Sequence, residues 1–307
     1  MFSLATIRVG QEPTPALCVG GKYWALAAVA PQLMAKTPWR GLMNVFDDWA
    51  ASEQVLMTVA QQLQDGVITQ APLPAPSGPQ DILAPLLYPN KLVLAGANYY
   101  DHMLIDGKRA SFDKTPHIPI FFLKPPTTTL VGGGKTVHYP PATVKFDYEV
   151  ELALVIGKRS RLLTPDNALD CIAGYTIAID LSARDLQRNP KHLINFDLFA
   201  GKCFDGGCPV GPGIVPSRFV NTDDLKLKLW LNGELRQDSS TKQMIWSITE
   251  QLVAITEFVT LEPGDIVSTG TPAGTGLLNQ AFMKPGDVMD AEIEGLGRLS
   301  VELLPPL

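Results

Sequence analysis

The sequence predicts an α+β chain, mostly β with a few helices, on three observations. Glycine and proline each occur 26 times in 307 residues, which favours many turns and short strands over long helices. Short apolar runs with period-two alternation recur from Lys91 onward, the pattern of half-buried strands. Helical spacing is confined to a few segments. With 46% apolar and 18% charged residues, the composition is that of a folded globular protein. The length suits one large domain, or a small one followed by a larger one.

Residues 1–85 read as a small unit. "ATIRVG" and "PALCVGGKYWALAAV" alternate like an antiparallel meander, with Gly20-Gly21 at a turn. "WRGLMNVFDDWAASEQVLMTVAQQLQDG" follows with apolar residues at helical spacing, ending at Gly66. Prolines then crowd the stretch from Pro72 to Pro89, a composition that suits an extended linker. Residues 86–307 read as the larger unit. "IPIFFLKPP", "FDYEVELALVIGK", "IAGYTIAIDLS", "GDIVSTG" and "DVMDAEIEGLGRLSVEL" all look like strands. "LKLKLWLNGELRQ" contains Asn232-Gly233, a strong hairpin signal. Helices are expected over "PDNALDCIA" and "SITEQLVAITEFV". No internal repeat or low-complexity segment is present.

Charge and cysteine usage exclude several classes. The net charge is −6 and no basic run stands out, which argues against a nucleic-acid or anionic-membrane partner. "MFSLATIRVG" has no basic stretch followed by an apolar core, so no signal peptide is expected and a cytoplasmic location is the default. "WALAAVAPQLMA" is broken by Pro31 and is too short to span a bilayer. Cys18, Cys171, Cys203 and Cys208 form no Cys-x-x-Cys pair, and free thiols are expected.

Two candidate motifs fail. "TLVGGGKTV" resembles a phosphate loop, but the position that needs the first glycine is Thr129; a glycine-rich turn is expected. His102, His117, His138 and His192 form no His-x-x-x-His pair. The acids are more informative. In "FDYEVELALVIGK", Asp147, Glu149 and Glu151 stand at every second position, so on one continuous strand they share a face. Two glutamates at i and i+2 can point at one hard cation, which takes oxygen ligands. Asp180 ends a strand so apolar that a lone acid there is costly unless it is paired or ligating. Spacing alone leaves a solvated strand face open as the other reading.

Six segments then occur in a telling order: "DYEVELALVIGK", "AGYTIAIDLSARDLQ", "GKCFDGGCPVGP", "LNGELRQ", "LEPGDIVSTGTPAGTG" and "IEGLGRLSVEL". Preceded by "GANYYDH" and "FFLKP", they resemble the fumarylacetoacetate hydrolase family from about Leu92 to Leu303. The resemblance implies a β-sandwich roll with a small β-rich N-terminal domain, and commonly a homodimer. It implies that Glu149, Glu151 and Asp180 hold one divalent cation, Mg²⁺ with Mn²⁺ or Ca²⁺ as substitutes, and that Asp147 is a neighbouring or solvent-facing acid. It makes Lys202 the active-site lysine. It makes Arg184, Gln187, Thr271 and Gly270 substrate-contacting positions on a small 2-oxo or diketo acid. Such an acid chelates the metal through its carboxylate and keto oxygens, and the metal stabilises an enolate.

One departure from the family pattern bears on the reaction. Hydrolytic members carry a glutamate three residues after the histidine, and that pair activates water. Here the third residue after His102 is Ile105, and the acid comes one later, at Asp106. The leading expectation is Mg²⁺-dependent hydrolysis of a C–C bond in an acylpyruvate or fumarylpyruvate, with His102 and Asp106 as the water-activating pair. The alternative is a decarboxylase, isomerase or hydratase acting on a 2-oxo acid of aromatic catabolism, and a third is a non-catalytic, metal-stabilised binding protein. The segment "NPKHLINFDLF" is expected to shape the acyl specificity.

Overall fold

The structure, a computed structural model, describes residues 1–34 and 40–307. Its central feature is a large mixed sheet. Strand Ile172–Ile179 lies between Cys208–Pro216 and Val150–Ile156; beyond the last come Ile266–Ser268, Leu92–Gly96 and Ile120–Leu123. At the other end, Phe2–Val9 pairs with Cys208–Pro216 and continues the sheet through Glu12–Val19 and Lys22–Ala25. A second sheet of five strands is ordered Glu234–Ser240, Lys226–Leu231, Val288–Ile293, Gly297–Leu304 and Gly134–His138.

The central strands are apolar on both faces because both faces are covered. Val150, Leu152, Leu154 and Ile156 point into a core shared with Leu227, Leu229, Met289 and Val301 of the five-stranded sheet. Ala153 and Val155 point the other way, into a core shared with Phe46, Trp49 and Leu56. Period-two alternation assigns Glu151 to this second face. The face is covered by helix Trp49–Gln64, whose N-cap Asp48 accepts a hydrogen bond from Ala51 N at 3.2 Å. Gly66, at φ +70°, follows its C-terminus, a conformation that costs glycine little.

Several expectations change in detail. The helical stretch thought to begin at Trp39 is two helices, Met43–Phe46 and Trp49–Gln64; Trp39 itself lies outside the described residues. The proline-rich segment lies along the N-terminal strands, with Leu73 N donating to Tyr23 O and Ile82–Leu83 pairing with Phe2–Val9. "PDNALDCIA" forms only a 3₁₀ turn, Ala168–Cys171, because the strand at Ile172 begins immediately after it. Helix Ile248–Phe258 forms with a Ser247–Glu250 capping box. Asn232 and Gly233 both take positive φ and close the hairpin. The glycines after Val131 turn the chain between strands Leu130–Val131 and Gly134–His138.

The larger correction concerns "FDYEVELALVIGK". It is not one strand. Phe146–Asp147 pairs with Ser182–Ala183, and Val150–Ile156 forms the central strand. Between them Tyr148 N donates to its neighbour Asp147 Oδ1 at 2.9 Å, and Val150 N donates to Gln237 Oε1 at 3.0 Å. Side-chain acceptors replace the ladder there, so the alternation of faces is interrupted between Asp147 and Glu151. No helix of the described residues is long and apolar enough to cross a membrane.

Candidate active site

Glu149 and Asp180 meet at the ends of two paired strands. Val150 stands opposite Ile179 and Glu151 opposite Ala178, and Asp180 N donates to Glu149 O at 2.8 Å. This register brings Glu149, Glu151 and Asp180 together, all buried, each offering an oxygen within 4.8 Å of the others. Ser268 ends the neighbouring strand, and its hydroxyl donates to Glu151 Oε2 at 2.5 Å; Gly270 N donates to the same oxygen at 3.0 Å. Gly270 sits at φ +93°, and a Cβ there would meet Asn98 Cβ at 2.8 Å.

Three cations enclose the acids. Lys202, at the end of helix Leu198–Lys202, donates to Glu149 Oε2 at 2.7 Å and to Asp180 Oδ2. Lys124, fully buried, pairs with Asp180 Oδ1 at 2.6 Å and donates to Leu181 O at 2.9 Å. Its approach to Asp180 is an ion pair without hydrogen-bond alignment. Arg184 reaches Asp147 Oδ2 with Nε at 2.8 Å and Glu149 Oε1 with Nη2 at 2.5 Å. Asp147 is therefore neither solvent-facing nor spare. It is buried, accepts from Gly276 N at 2.7 Å, and anchors Arg184.

The electrostatics single out Glu151. Burial, then the negative charges of Asp180 and Glu149, push its carboxyl well above the usual range. Burial also pushes Glu149 up, but Arg184, Lys202 and His102 outweigh it and hold Glu149 well below the ordinary value. Lys202 is pulled down by burial, yet Asp180 and Glu149 raise it further, so it stays charged. Among the described residues, four buried carboxylates, Asp147 included, thus face three cations, and none of the ion pairs involves Glu151. Three oxygens at this spacing with unbalanced negative charge fit a hard divalent ion.

His102 stands at the rim. It begins a π-helical turn, His102–Asp106, closed by Gly107 N donating to His102 O at 3.0 Å. The wider turn brings residues four apart together, and His102 Nδ1 lies 2.9 Å from Asp106 Oδ2. Asp106 is buried and also accepts from Gly274 N, Thr275 N and Thr275 Oγ1, at 3.1, 3.1 and 2.8 Å. Burial raises its carboxyl, but the bond from His102 and these donors together hold it below the ordinary value. An ionised Asp106 only accepts, so the Nδ1 contact is a donation from His102, and whenever the ring is neutral this leaves Nε2 as the acceptor. Ile105, three residues after His102, is 48% exposed.

These parts line one cavity of about 280 Å³, walled by His102, Glu149, Glu151, Arg184, Gln187, Arg188, Phe196, Lys202 and Thr271. Gln187 and Arg184 lie on one short helix, Arg184–Gln187. That helix packs so closely on Leu198–Lys202 that a Cβ at Gly201 would lie 2.1 Å from Gln187 Cγ. Thr271 Oγ1 donates to Val150 O and accepts from Gln237 Nε2, both at 2.9 Å. Its hydroxyl hydrogen is committed to the backbone, so Thr271 shapes the wall with the chain itself held in place. Sequence reasoning missed Lys124, Ser268 and the Asp147–Arg184 pair. A lysine closing the apolar run "IFFL" was the available signal for Lys124.

Comparison with known proteins gives the family. Residues 91–303 match the family described as fumarylacetoacetate (FAA) hydrolase, C-terminal. The mitochondrial oxaloacetate tautomerase FAHD2B of Bos taurus is 41% identical over 234 residues, 75% of this chain and 71% of that protein. Among solved structures, the fumarylacetoacetate hydrolase of Exiguobacterium antarcticum superposes with a TM-score of 0.75 at 30% identity, covering 99% of this chain and all of that one. The fumarylpyruvate hydrolase of Pseudomonas aeruginosa, solved with Mn²⁺ and pyruvate, gives a TM-score of 0.63 at 32% identity over 72% of this chain and 91% of that one. With a match over residues 91–303 and a buried acid cluster on paired strand ends, the chain belongs to the fumarylacetoacetate hydrolase family.

Proposed function

We propose that this enzyme moves a proton at the carbon beside the keto group of a small 2-oxo diacid, interconverting its keto and enol forms. The observation that carries the reading is that His102, oriented by Asp106, lines the same cavity as Glu149 and Glu151. A relative at 41% identity named as an oxaloacetate tautomerase supports it. Glu149, Glu151 and Asp180 would hold Mg²⁺ or Mn²⁺. When bound, that ion supplies a Lewis acid for the keto oxygen and a chelating partner for the neighbouring carboxylate.

The chain's own residues do the rest. His102 Nε2 takes the proton from the carbon, while Asp106 keeps the imidazole in the tautomer that can accept it. Negative charge builds on the keto oxygen as the C–H bond breaks, and the Lys202 ammonium beside Glu149 and Asp180 stabilises it. Passing that same proton from His102 Nε2 to the oxygen completes the enol and restores the neutral imidazole; the reverse sequence returns the ketone. Arg184, locked between Asp147 and Glu149, holds the acid cluster in place and presents a guanidinium edge to the cavity.

Hydrolytic C–C cleavage of an acylpyruvate is the second reading. The His102–Asp106 pair favours it, because a base with a free Nε2 can also activate water. One assay separates the two. Freshly dissolved enol oxaloacetate should lose its ultraviolet absorbance faster with enzyme and Mn²⁺, with the acid recovered intact. Acylpyruvate cleaved to pyruvate at a higher kcat/KM, with no acceleration of oxaloacetate ketonisation, would replace the first reading with the second.

A further inference from the structure

We propose that Arg188 is a specificity-determining residue that takes the distal carboxylate of the substrate, making 2-oxo dicarboxylates rather than monocarboxylates the preferred class. This rests on the reading above, that a 2-oxo acid binds at the acid cluster.

The argument starts from the charges on the cavity wall. Lys202 is committed to Glu149 and Asp180, and Arg184 to Asp147 and Glu149. Arg188 also lines the cavity, yet no acidic side chain among the described residues pairs with it. The nearest acid along the chain on the C-terminal side, Asp197, is already used. It caps helix Leu198–Lys202 by accepting from Ala200 N at 3.1 Å, and it pairs with His192 at 3.5 Å. Arg188 lies instead over the Phe196 ring, its Cζ 5.8 Å from the centroid. An aromatic face orients a guanidinium without neutralising it. The result is a solvent-exposed guanidinium, positioned over an aromatic ring and without an acidic partner among the described residues, at the wall of the cavity that holds the acid cluster.

The chemistry of that cation selects the ligand. A guanidinium offers two parallel donors that match a carboxylate bidentately. An acid chelated through its 2-oxo carboxylate at Glu149, Glu151 and Asp180 would extend its other end along the wall formed by Gln187, Arg188 and Phe196. A carboxylate there meets the unpaired charge. A neutral acyl tail would gain no partner from the exposed guanidinium and would displace some of its water. Segment 188–198 therefore sets specificity by one charge placed on an aromatic platform rather than by an apolar acyl pocket.

Calorimetric titration with Mn²⁺ present tests this with two acids of equal chain length, 2-oxoglutarate and 2-oxopentanoate. Wild type is expected to prefer the diacid. In Arg188→Gln the ratio of diacid to monoacid affinity should fall at least about tenfold, the loss of a charge-assisted hydrogen-bonded pair. Arg188→Lys, which keeps the charge but not the fork, should fall between the two. A ratio in Arg188→Gln within about twofold of wild type overturns the assignment of Arg188 while leaving the function reading intact. Wild type that binds neither acid when Mn²⁺ is present overturns the function reading, and this inference with it.

Discussion

The acid cluster and the His102 turn stand on the same cavity but are held in opposite ways. Glu149, Glu151 and Asp180 are carried by two strands hydrogen-bonded to each other, flanked by further strands and buried on both faces. Their backbone would keep its place with the carboxylates removed. His102 has no ladder beneath it. Its turn is fastened by two carboxylates: Asp101 accepts from Ala273 N and Ser239 Oγ, and Asp106 accepts from Gly274 and Thr275. The first region fixes charges through the fold; the second fixes a fold through charges. Substitution of Glu151, which takes part in none of the ion pairs, should therefore cost chemistry alone, and substitution of Asp106 chemistry together with local order.

The sharpest test of that contrast is Glu151→Gln. It removes a proposed metal ligand from a backbone the sheet holds anyway. Activity should drop by more than about 10³, matching the several kcal/mol a Lewis acid supplies, and Mn²⁺ binding by calorimetry should be lost. Circular dichroism should remain that of wild type; a variant that no longer folds would show the cluster to be structural in the way the rim is.

Lys202→Met comes next. Deleting a preorganised donor typically costs about 10²–10³ in kcat. Mn²⁺ affinity should hold or rise, since the substitution removes a cation that competes for Glu149 and Asp180. Near-normal turnover would remove Lys202 from the chemistry.

Asp106→Asn should show both kinds of loss at once. The amide cannot accept from every donor that Asp106 serves, and it frees the His102 ring to turn. We expect at least about a tenfold fall in kcat and a destabilisation of about 1–3 kcal/mol. The pH dependence gives the sign. The folded carboxyl lies below its ordinary value, so its stabilisation is present above the unfolded value of about 4 and is lost as pH falls through the lower folded value. The gap in melting temperature between wild type and variant should be widest near neutral pH and close in acid. A constant gap would mean the carboxylate's charge is not what holds the turn.

The smallest effect is expected from Ile105→Glu, which places an acid at the spacing that the family resemblance implies. His102 Nδ1 already faces Asp106, and residue 105 is half exposed. Rates should change by less than about twofold, well below what a positioned base or its partner contributes. A large rise in acylpyruvate hydrolysis would show that Asp106 serves the loop and not the histidine.

Much of this was legible in the chain itself. The Asn232-Gly233 hairpin, the capped helix at Ile248 and the meander at the N-terminus are encoded within a few residues, where turn chemistry and periodicity act. The i, i+2 spacing of Glu149 and Glu151 marked a common direction, and Asp180 stood out as an acid ending an apolar strand. The same reasoning extended the strand too far. It placed Asp147 with the other acids, although the chain breaks at Tyr148 so that Asp147 can face Arg184.

The sequence by itself determined the strands, the acids that mark their ends and the resemblance that names their chemistry, because alternation and local turns are short-range properties. Only the tertiary structure decided which cations answer those acids. Lys124 is buried against Asp180, Arg184 spans Asp147 and Glu149, and Asp106 is shared between His102 and the glycine-rich loop. Each of these pairs except His102–Asp106 joins segments distant in the chain. No local periodicity records such a pairing; it follows from sheet register and from the cost of burying any charge alone.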